Sequence, residues 1–579
     1  MIKKLYGCIG EYKKPTIVSL LLIVLEAIIE TFIPFITADL VNRVKAGADI
    51  GEILETGAVL FVMAAFSLMS GGGAGIASAR ASAGFAKNLR AEMFSRIGAY
   101  SFGNIDKFST SSLVTRVTTD VQNVQMSYMI VIRTAIRAPL MLIFSVVMAY
   151  IMGGALATAF VVLIPVLLFG LITIARFAMP AFRRVFRKYD RLNESIEENV
   201  RAMRVVKGFA REEHEKQRFT AAAEDIRRDF TRAERIVALN APLMQICLYA
   251  NMIFVLLIGS RMAIESRGTA IDVGQLSAML TYGFQILMSL MMFSMIYVML
   301  TMSGESLKRI GEILDETPTI VSPENPVTEV KDGSIVFRGV SFSYAEGGAR
   351  AALSEIDLEI ASGMTVGILG GTGSGKTTLV QMIPRLYDAT EGEVLVGGEN
   401  VRRYDLSALR HAVGMVLQKN QLFSGTIAEN LRWGAADATD EELREACRLA
   451  EADGFVSSFP DGYETRIEQG GTNVSGGQKQ RLCIARALLM KPKVLIFDDS
   501  TSAVDTRTDA AIRRSLSTYL PETTKLIIAQ RVASVQEADL ILLLEDGRIA
   551  ARGTHEELLA SSEHYRELCE QQMGGDENE

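Results

Sequence analysis

Histidine and cysteine are both scarce. The chain of 579 residues holds four histidines (His214, His411, His555, His564) and five cysteines (Cys8, Cys247, Cys447, Cys483, Cys569). The cysteines stand far apart with no metal-ligand spacing, which argues against a disulfide framework or a zinc site and makes them reduced, non-structural thiols. Strong positive charge is missing too. A formal net charge of −7 is mild for this length and does not suit a nucleic-acid binder. A cleavable leader is not expected, because the first apolar run is too long and lacks an A-x-A-like exit. The acidic ending GGDENE reads as a frayed, solvated tail.

Hydrophobic surface, by contrast, is abundant: 49% of residues are hydrophobic and the mean hydropathy is +0.23. The length is too great for one ordinary core, and the two halves differ. Long uncharged tracts fill residues 1–304, and a soluble α/β pattern follows. A helix crosses the hydrocarbon core in about 20 residues. The tracts accordingly predict six spans, at residues 16–41, 56–79, 130–152, 155–176, 236–260 and 273–304, with Gly153-Gly154 turning the third into the fourth. Lys and Arg set the orientation. With the N-terminus inside, the internal segments carry 26 of them and the external loops 4. Both termini are therefore expected in the cytosol, and the two long internal loops keep helical periodicity, as rods leaving the bilayer would.

Three features inside the spans admit two readings each. Glu26 and Glu30 share a helix face and either line a cation or substrate path or face a hydrated cavity or partner helix. Arg133 and Arg137 also share a face and could simply snorkel to the cytosolic boundary. Six methionines of the last span (Met288, Met291, Met292, Met295, Met299, Met302) suit adaptable binding of apolar molecules, or lipid-facing filler.

A charged connector with Pro318, Pro323 and Pro326 leads into the soluble part. The expected domains are a transmembrane region at 1–310, a linker at 311–332 and a nucleotide-binding region at 333–579. In the last, MTVGILG runs into GGTGSGKTT, which fits G-x-x-x-x-G-K-[ST] through Gly370, Gly375, Lys376 and Thr377. Gly373 and Ser374 complete the loop, and Thr378 follows it. Glycines let backbone N–H groups curl around phosphate oxygens, Lys376 adds a point charge, and Thr377 offers a hydroxyl to Mg²⁺. The run VLIFDD ends a second buried strand, with Asp498 placed to hold the Mg²⁺ through water. A nucleoside triphosphate site follows from this pair.

NVSGGQKQR lies between them, and its Ser475, Gly476, Gly477 and Gln478 resemble the signature motif of ATP-binding cassette (ABC) ATPases. Tyr344 resembles that family's adenine-stacking aromatic, Gln418 its Q-loop glutamine beside the metal, and residues 502–505, ending in Asp505, its D-loop. Six spans ahead of one cassette resemble the half-transporters of the ABC exporters, over essentially the whole chain. The implied fold is an all-α six-helix transmembrane domain with long cytosolic helical extensions, then an α/β P-loop cassette. The resemblance further implies ATP and Mg²⁺ as cofactors, and a dimer in which each signature closes on the partner's ATP. It also implies coupling helices near residues 108–114 and 209–213.

Two positions depart from the family pattern. The water-polarising Glu after the Mg²⁺-binding Asp is here Asp499, and the switch His is here Gln530. Asp is a methylene shorter, which withdraws the carboxylate by about 1 Å, and misplacement on that scale costs about 10²-fold. The expectation is a site that binds ATP and hydrolyses it slowly, in a heterodimer whose other half-transporter carries Glu and His. The expected activity is ATP-driven export of hydrophobic or amphipathic small molecules across the cytoplasmic (inner) membrane. Lipid or lipid-linked precursor flipping, a regulatory ATP-binding subunit and inward transport are the alternatives. Six spans exclude a soluble cassette acting on nucleic acid.

Overall fold

The structure, a computed structural model, describes residues 2–344, 351–499 and 506–576. The chain divides into two compact units. One holds Met1–Gly98 and Ser109–Glu316, and the other holds Ala99–Phe108 and Thr317–Glu579.

The first unit is helical. Its long helices are Lys13–Ala46, Ile50–Gly98, Val121–Gly153, Thr158–Arg201, Asn240–Glu265 and Val273–Asp315. Among the described residues five stretches are long and apolar enough to cross a membrane, and the third of these, Thr110–Val200, takes in the third long helix and all but the last residue of the fourth. The break between them falls at Gly154, whose φ of 52° and ψ of −124° are open to glycine and strained for other residues. The first helix stops at Gly47, left-handed at φ 79°, whose N–H bonds the carbonyls of Arg43 and Val44. A capping box of Asp272 and Gln275 starts the sixth. Gly274 then lies against the first helix so tightly that a Cβ there would come within 2.1 Å of the Ala38 carbonyl oxygen. Buried Tyr282, also on the sixth helix, donates to the Thr31 carbonyl at 2.9 Å.

The carboxylates of the first helix face a partner helix. Arg137 on the third helix donates from Nη2 to Glu30 Oε2 at 2.6 Å and lies 3.5 Å from Glu26 Oε1. Its guanidinium is thus tied to two carboxylates, and the snorkelling reading is corrected for Arg137. Burial in an apolar bundle favours pairing a charge with its opposite over leaving either alone. Just ahead of the third helix, fully buried Asp120 accepts from Ser306 at 2.8 Å and from Arg309 Nε at 2.7 Å, tying this turn to the sixth helix. The fourth helix extends beside the helix Glu212–Val237, where Lys188 bonds Asp225 and Asp229 at 2.7 Å each.

The second unit is α/β. A six-stranded sheet runs in the order Arg548–Gly553, Leu540–Glu545, Thr365–Gly370, Thr524–Ile528, Val494–Asp498, Val413–Val416. Every pairing is parallel except the first. Val494–Asp498 is buried at all five positions, as a strand covered on both faces must be. A smaller antiparallel sheet, built on Ile335–Phe342, flanks it.

One short helix from the membrane half of the sequence belongs to this unit. Phe102–Asp106 begins with a Ser101/Asn104 capping box. Asn104 donates to the Thr317 carbonyl at 2.9 Å, and Tyr387 donates to Asp106 Oδ2 at 2.7 Å. The expected coupling segment at 108–114 therefore lies a few residues too late. The helix Thr110–Thr115 falls in the first unit, and the residues held by the cassette are 99–108.

Candidate nucleotide site

The parallel strands deliver the site. Thr365–Gly370, Thr524–Ile528, Val494–Asp498 and Val413–Val416 all point their carboxyl ends the same way, the edge where open α/β sheets bind ligands. The phosphate loop follows the first, Gln530 the second, Asp498 and Asp499 end the third, and Gln418 follows the fourth.

In the loop, Gly373 and Gly375 hold φ of 82° and 98°, and a Cβ on Gly375 would lie 2.6 Å from the Ala352 carbonyl oxygen. Lys376 folds back to donate to the Gly370 and Gly371 carbonyls at 2.8 and 2.7 Å. Burial holds its ammonium below the usual lysine range, with Asp499 and Asp498 opposing. Ser374 Oγ is buried with no hydrogen-bond partner among the described residues. Such an orphaned hydroxyl normally finds one, and in this loop a phosphate oxygen fits the vacancy. Thr377 donates to Asp498 Oδ1 at 2.8 Å, and Thr378 Oγ1 lies 3.0 Å from the Tyr344 hydroxyl. Asp498 is only 3% exposed. Burial raises its pKa above the usual carboxylate value, the Thr377 bond lowers it, and Asp499 raises it further. The hydroxyl and carboxylate of Thr377 and Asp498 are a hard-oxygen pair suited to Mg²⁺.

Asp499 departs from regular strand backbone, with φ of 49°, and its N–H donates to the Ile528 carbonyl at 3.2 Å. Its Oδ2 accepts from Gln530 Nε2 at 2.7 Å and from Gln418 Nε2 at 3.3 Å. The two altered positions, 31 residues apart, therefore meet in space. The Gln418 amide rests on Asp499, and among the described residues no hydrogen bond takes it to Thr377 or Asp498. That Gln418 contact is absent from the sequence reading, since no spacing rule couples residues on two separate strand ends.

The signature residues stand at the start of the helix Gly476–Leu489. Ser475 accepts from the Gln478 N–H at 3.3 Å, and the Gln478 side chain accepts from the Ser475 N–H at 2.9 Å. Ser475 and Gly476 are exposed. Among the described residues no hydrogen bond joins Ser475, Gly476, Gly477 or Gln478 to the phosphate loop. Asp505 and the rest of 502–505 lie outside the described residues. Tyr387 is a residue the motifs did not single out. Its ring lies 5.2 Å from that of Tyr344 and 6.1 Å from that of Phe102, so it bridges the phosphate-loop aromatic to the captured helix.

A phosphate loop, a strand-end aspartate bonded to its threonine, and a separate exposed Ser-Gly-Gly-Gln helix start, on a chain with a membrane-helix bundle, define a nucleotide-driven membrane transporter. The ABC transporter transmembrane region family matches residues 16–291, and the ABC transporter family matches residues 353–502. An uncharacterised ABC transporter ATP-binding protein of Bacillus subtilis, YfiB, is 35% identical over 562 residues, covering 97% of each chain. A probable multidrug resistance ABC transporter ATP-binding/permease protein of the same organism, YheI, is 30% identical over 583 residues, covering 99% of this chain and 98% of its own. In fold, the chain is similar to a bacterial Atm1-family ABC exporter with ATP bound, at a TM-score of 0.84 and 24% identity, covering 97% of this chain and 99% of that one. The chain belongs to the ABC transporter family. It is a multi-pass membrane half-transporter of the exporter build, which works as a dimer and couples ATP to transport.

Proposed function

We propose that this chain is one half of a heterodimeric exporter of hydrophobic or amphipathic small molecules, and that its own ATP site binds nucleotide but hydrolyses it slowly. The observation that carries the reading is the double amide contact on Asp499, from Gln530 and Gln418. The attacking water needs a carboxylate that reaches it and is free to accept from it. Asp499 is a methylene short, roughly 1 Å of reach, and one of its oxygens already accepts two N–H groups. Gln530, a neutral amide, cannot take up a proton as an imidazole does. The rest of the site is equipped to hold ATP: the loop glycines, Ser374, Lys376 and Tyr344. Mg²⁺ would be held by Thr377 and Asp498, with Gln418 beside them, and would neutralise phosphate charge.

The signature at Ser475–Gln478 completes the partner's site in this reading, because its side chains are spent on their own helix cap while its first amides stay exposed. The partner carries Glu and His at the two altered positions. Spans at 16–41, 56–79, 130–152, 155–176, 236–260 and 273–304 put both termini in the cytosol and the chain in the cytoplasmic membrane. The turn at 209–213, where Phe209 is 78% exposed, docks on the partner's cassette. Similarity to YheI, a probable multidrug resistance ABC transporter, supports a multidrug-type cargo. ATPase measured on the chain alone and with such a partner tests the proposal. Slow turnover alone and fast turnover together is expected, and fast turnover alone refutes it.

A further inference from the structure

The fourth and sixth long helices line a cavity of about 750 Å³, within the usual range of about 300–1,000 Å³ for ligand sites. Its two ends differ chemically. Leu168, Leu171 and Ile172 of the fourth helix and Leu290 and Phe293 of the sixth make one end apolar. At the other stand Arg176, Arg184 and Arg187, all exposed and all from the fourth helix. Among the described residues none of the three arginines makes an ion pair or a side-chain hydrogen bond. Asp225 and Asp229, on the helix beside the fourth, are both bound by Lys188 at 2.7 Å. That bond, first among the causes, holds Asp229 below the usual carboxylate range, with Arg184 a lesser contributor.

We infer that this cavity binds an amphiphile with an anionic head group, drawn from the cytosolic leaflet, and that Arg176, Arg184 and Arg187 recognise the head group. The inference rests on the exporter reading and names its substrate class. On the proposed topology the apolar end falls within the fourth span, at 155–176, and the arginines continue into the cytosolic extension. An occupant with its chains in the bilayer and its charge at head-group height matches both ends. A cationic amphiphile would meet three positive charges, none of them held in an ion pair among the described residues. The carboxylates that could attract one, Glu26 and Glu30, are committed to Arg137. The attraction of each basic residue for an anionic head group multiplies across the three arginines, so the preference should reach about tenfold or more.

The test is equilibrium binding of pyrene-labelled phosphatidate and of its phosphatidylcholine counterpart to the full-length chain in uncharged detergent, without nucleotide. The wild type should prefer phosphatidate about tenfold or more. Arg184→Gln with Arg187→Gln should cut that preference several-fold, leaving only the part due to Arg176, and Arg184→Lys with Arg187→Lys should keep most of it. The preference should also shrink as salt rises, since exposed charges are screened beyond about 10 Å at 0.1 M. Equal binding of the two lipids by the wild type, or a preference left undiminished by the double Gln change, overturns the inference. Displacement of the probe by inorganic phosphate as readily as by dodecyl phosphate also overturns it, because the apolar end would then contribute nothing. No nucleotide or partner enters this assay, so its failure leaves the slow-site reading standing. Fast ATPase by the chain alone would likewise leave a positive binding result intact.

Discussion

Replacing Asp499 by Glu and Gln530 by His together should raise ATP turnover at this site by up to about 10²-fold. The magnitude follows from reach. The added methylene advances the carboxylate by roughly 1 Å, and restoring an alignment of that size recovers about 10²-fold. The Gln530 bond to Asp499, at 2.7 Å, works against either change made alone. Such a bond is worth about 0.5–1.5 kcal/mol, whereas a tenfold rate change is about 1.4 kcal/mol. Asp499→Glu alone leaves the new carboxylate tied to an amide, and Gln530→His alone presents an imidazole to a carboxylate set too far back. The double change should therefore exceed the product of the two singles, as groups in contact do. Phosphate release from the chain in nanodiscs measures it, with Lys376→Ala subtracted as background and ATP affinity measured in parallel. An unchanged turnover in the double variant at unchanged ATP affinity would refute the reasoning.

Asp498→Asn should stabilise the cassette in the absence of nucleotide, while abolishing the extra stabilisation that Mg²⁺ with ATP gives. Burial raises the Asp498 pKa, so the folded state holds a proton more readily than the unfolded chain does. The wild type then carries a penalty above the folded pKa that is relieved as pH falls through it. Melting temperatures of wild type and variant should accordingly converge at low pH. Ser374→Ala should leave the apo melting temperature unchanged or slightly higher and weaken ATP binding about 3- to 10-fold, the value of one hydrogen bond; equal affinity in a titration would contradict it. Arg137→Gln should destabilise the membrane half by about 1–3 kcal/mol, less than the 3–5 of a fully buried pair because both partners stay partly exposed. Adding Glu26→Gln and Glu30→Gln should recover most of that loss in a detergent melt.

The chemistry of the nucleotide site was legible because its motifs are local. Each is a few residues whose spacing is fixed by a strand end and a loop, and the phosphate loop, Asp498 and the Ser475 helix start stand where those spacings require. The approach of Asp499 to Gln530 was implied only through the family pattern, and the geometry adds that one oxygen serves both glutamines. Contacts between distant segments were not legible. Arg137 and its carboxylates are 107 residues apart at Glu30 and on different helices, so charge and hydropathy alone suggested snorkelling. The captured helix Phe102–Asp106 has five residues, too few for a periodic pattern, and its anchor Tyr387 carries no motif. Arg176, Arg184 and Arg187 entered the sequence argument only as positive charge that orients the chain. Their shared cavity depends on how the fourth and sixth helices pack.

The central claim is that this site holds ATP without promptly cleaving it, and a single-turnover experiment tests it most directly. The chain is mixed in excess with γ-labelled ATP and Mg²⁺, quenched at intervals, and the bound nucleotide is identified. The account predicts that bound nucleotide remains ATP long past the tenth of a second or so in which an ordinary enzyme, at about 10 s⁻¹, would turn over. Conversion to ADP at that ordinary rate, by the chain alone, would contradict it.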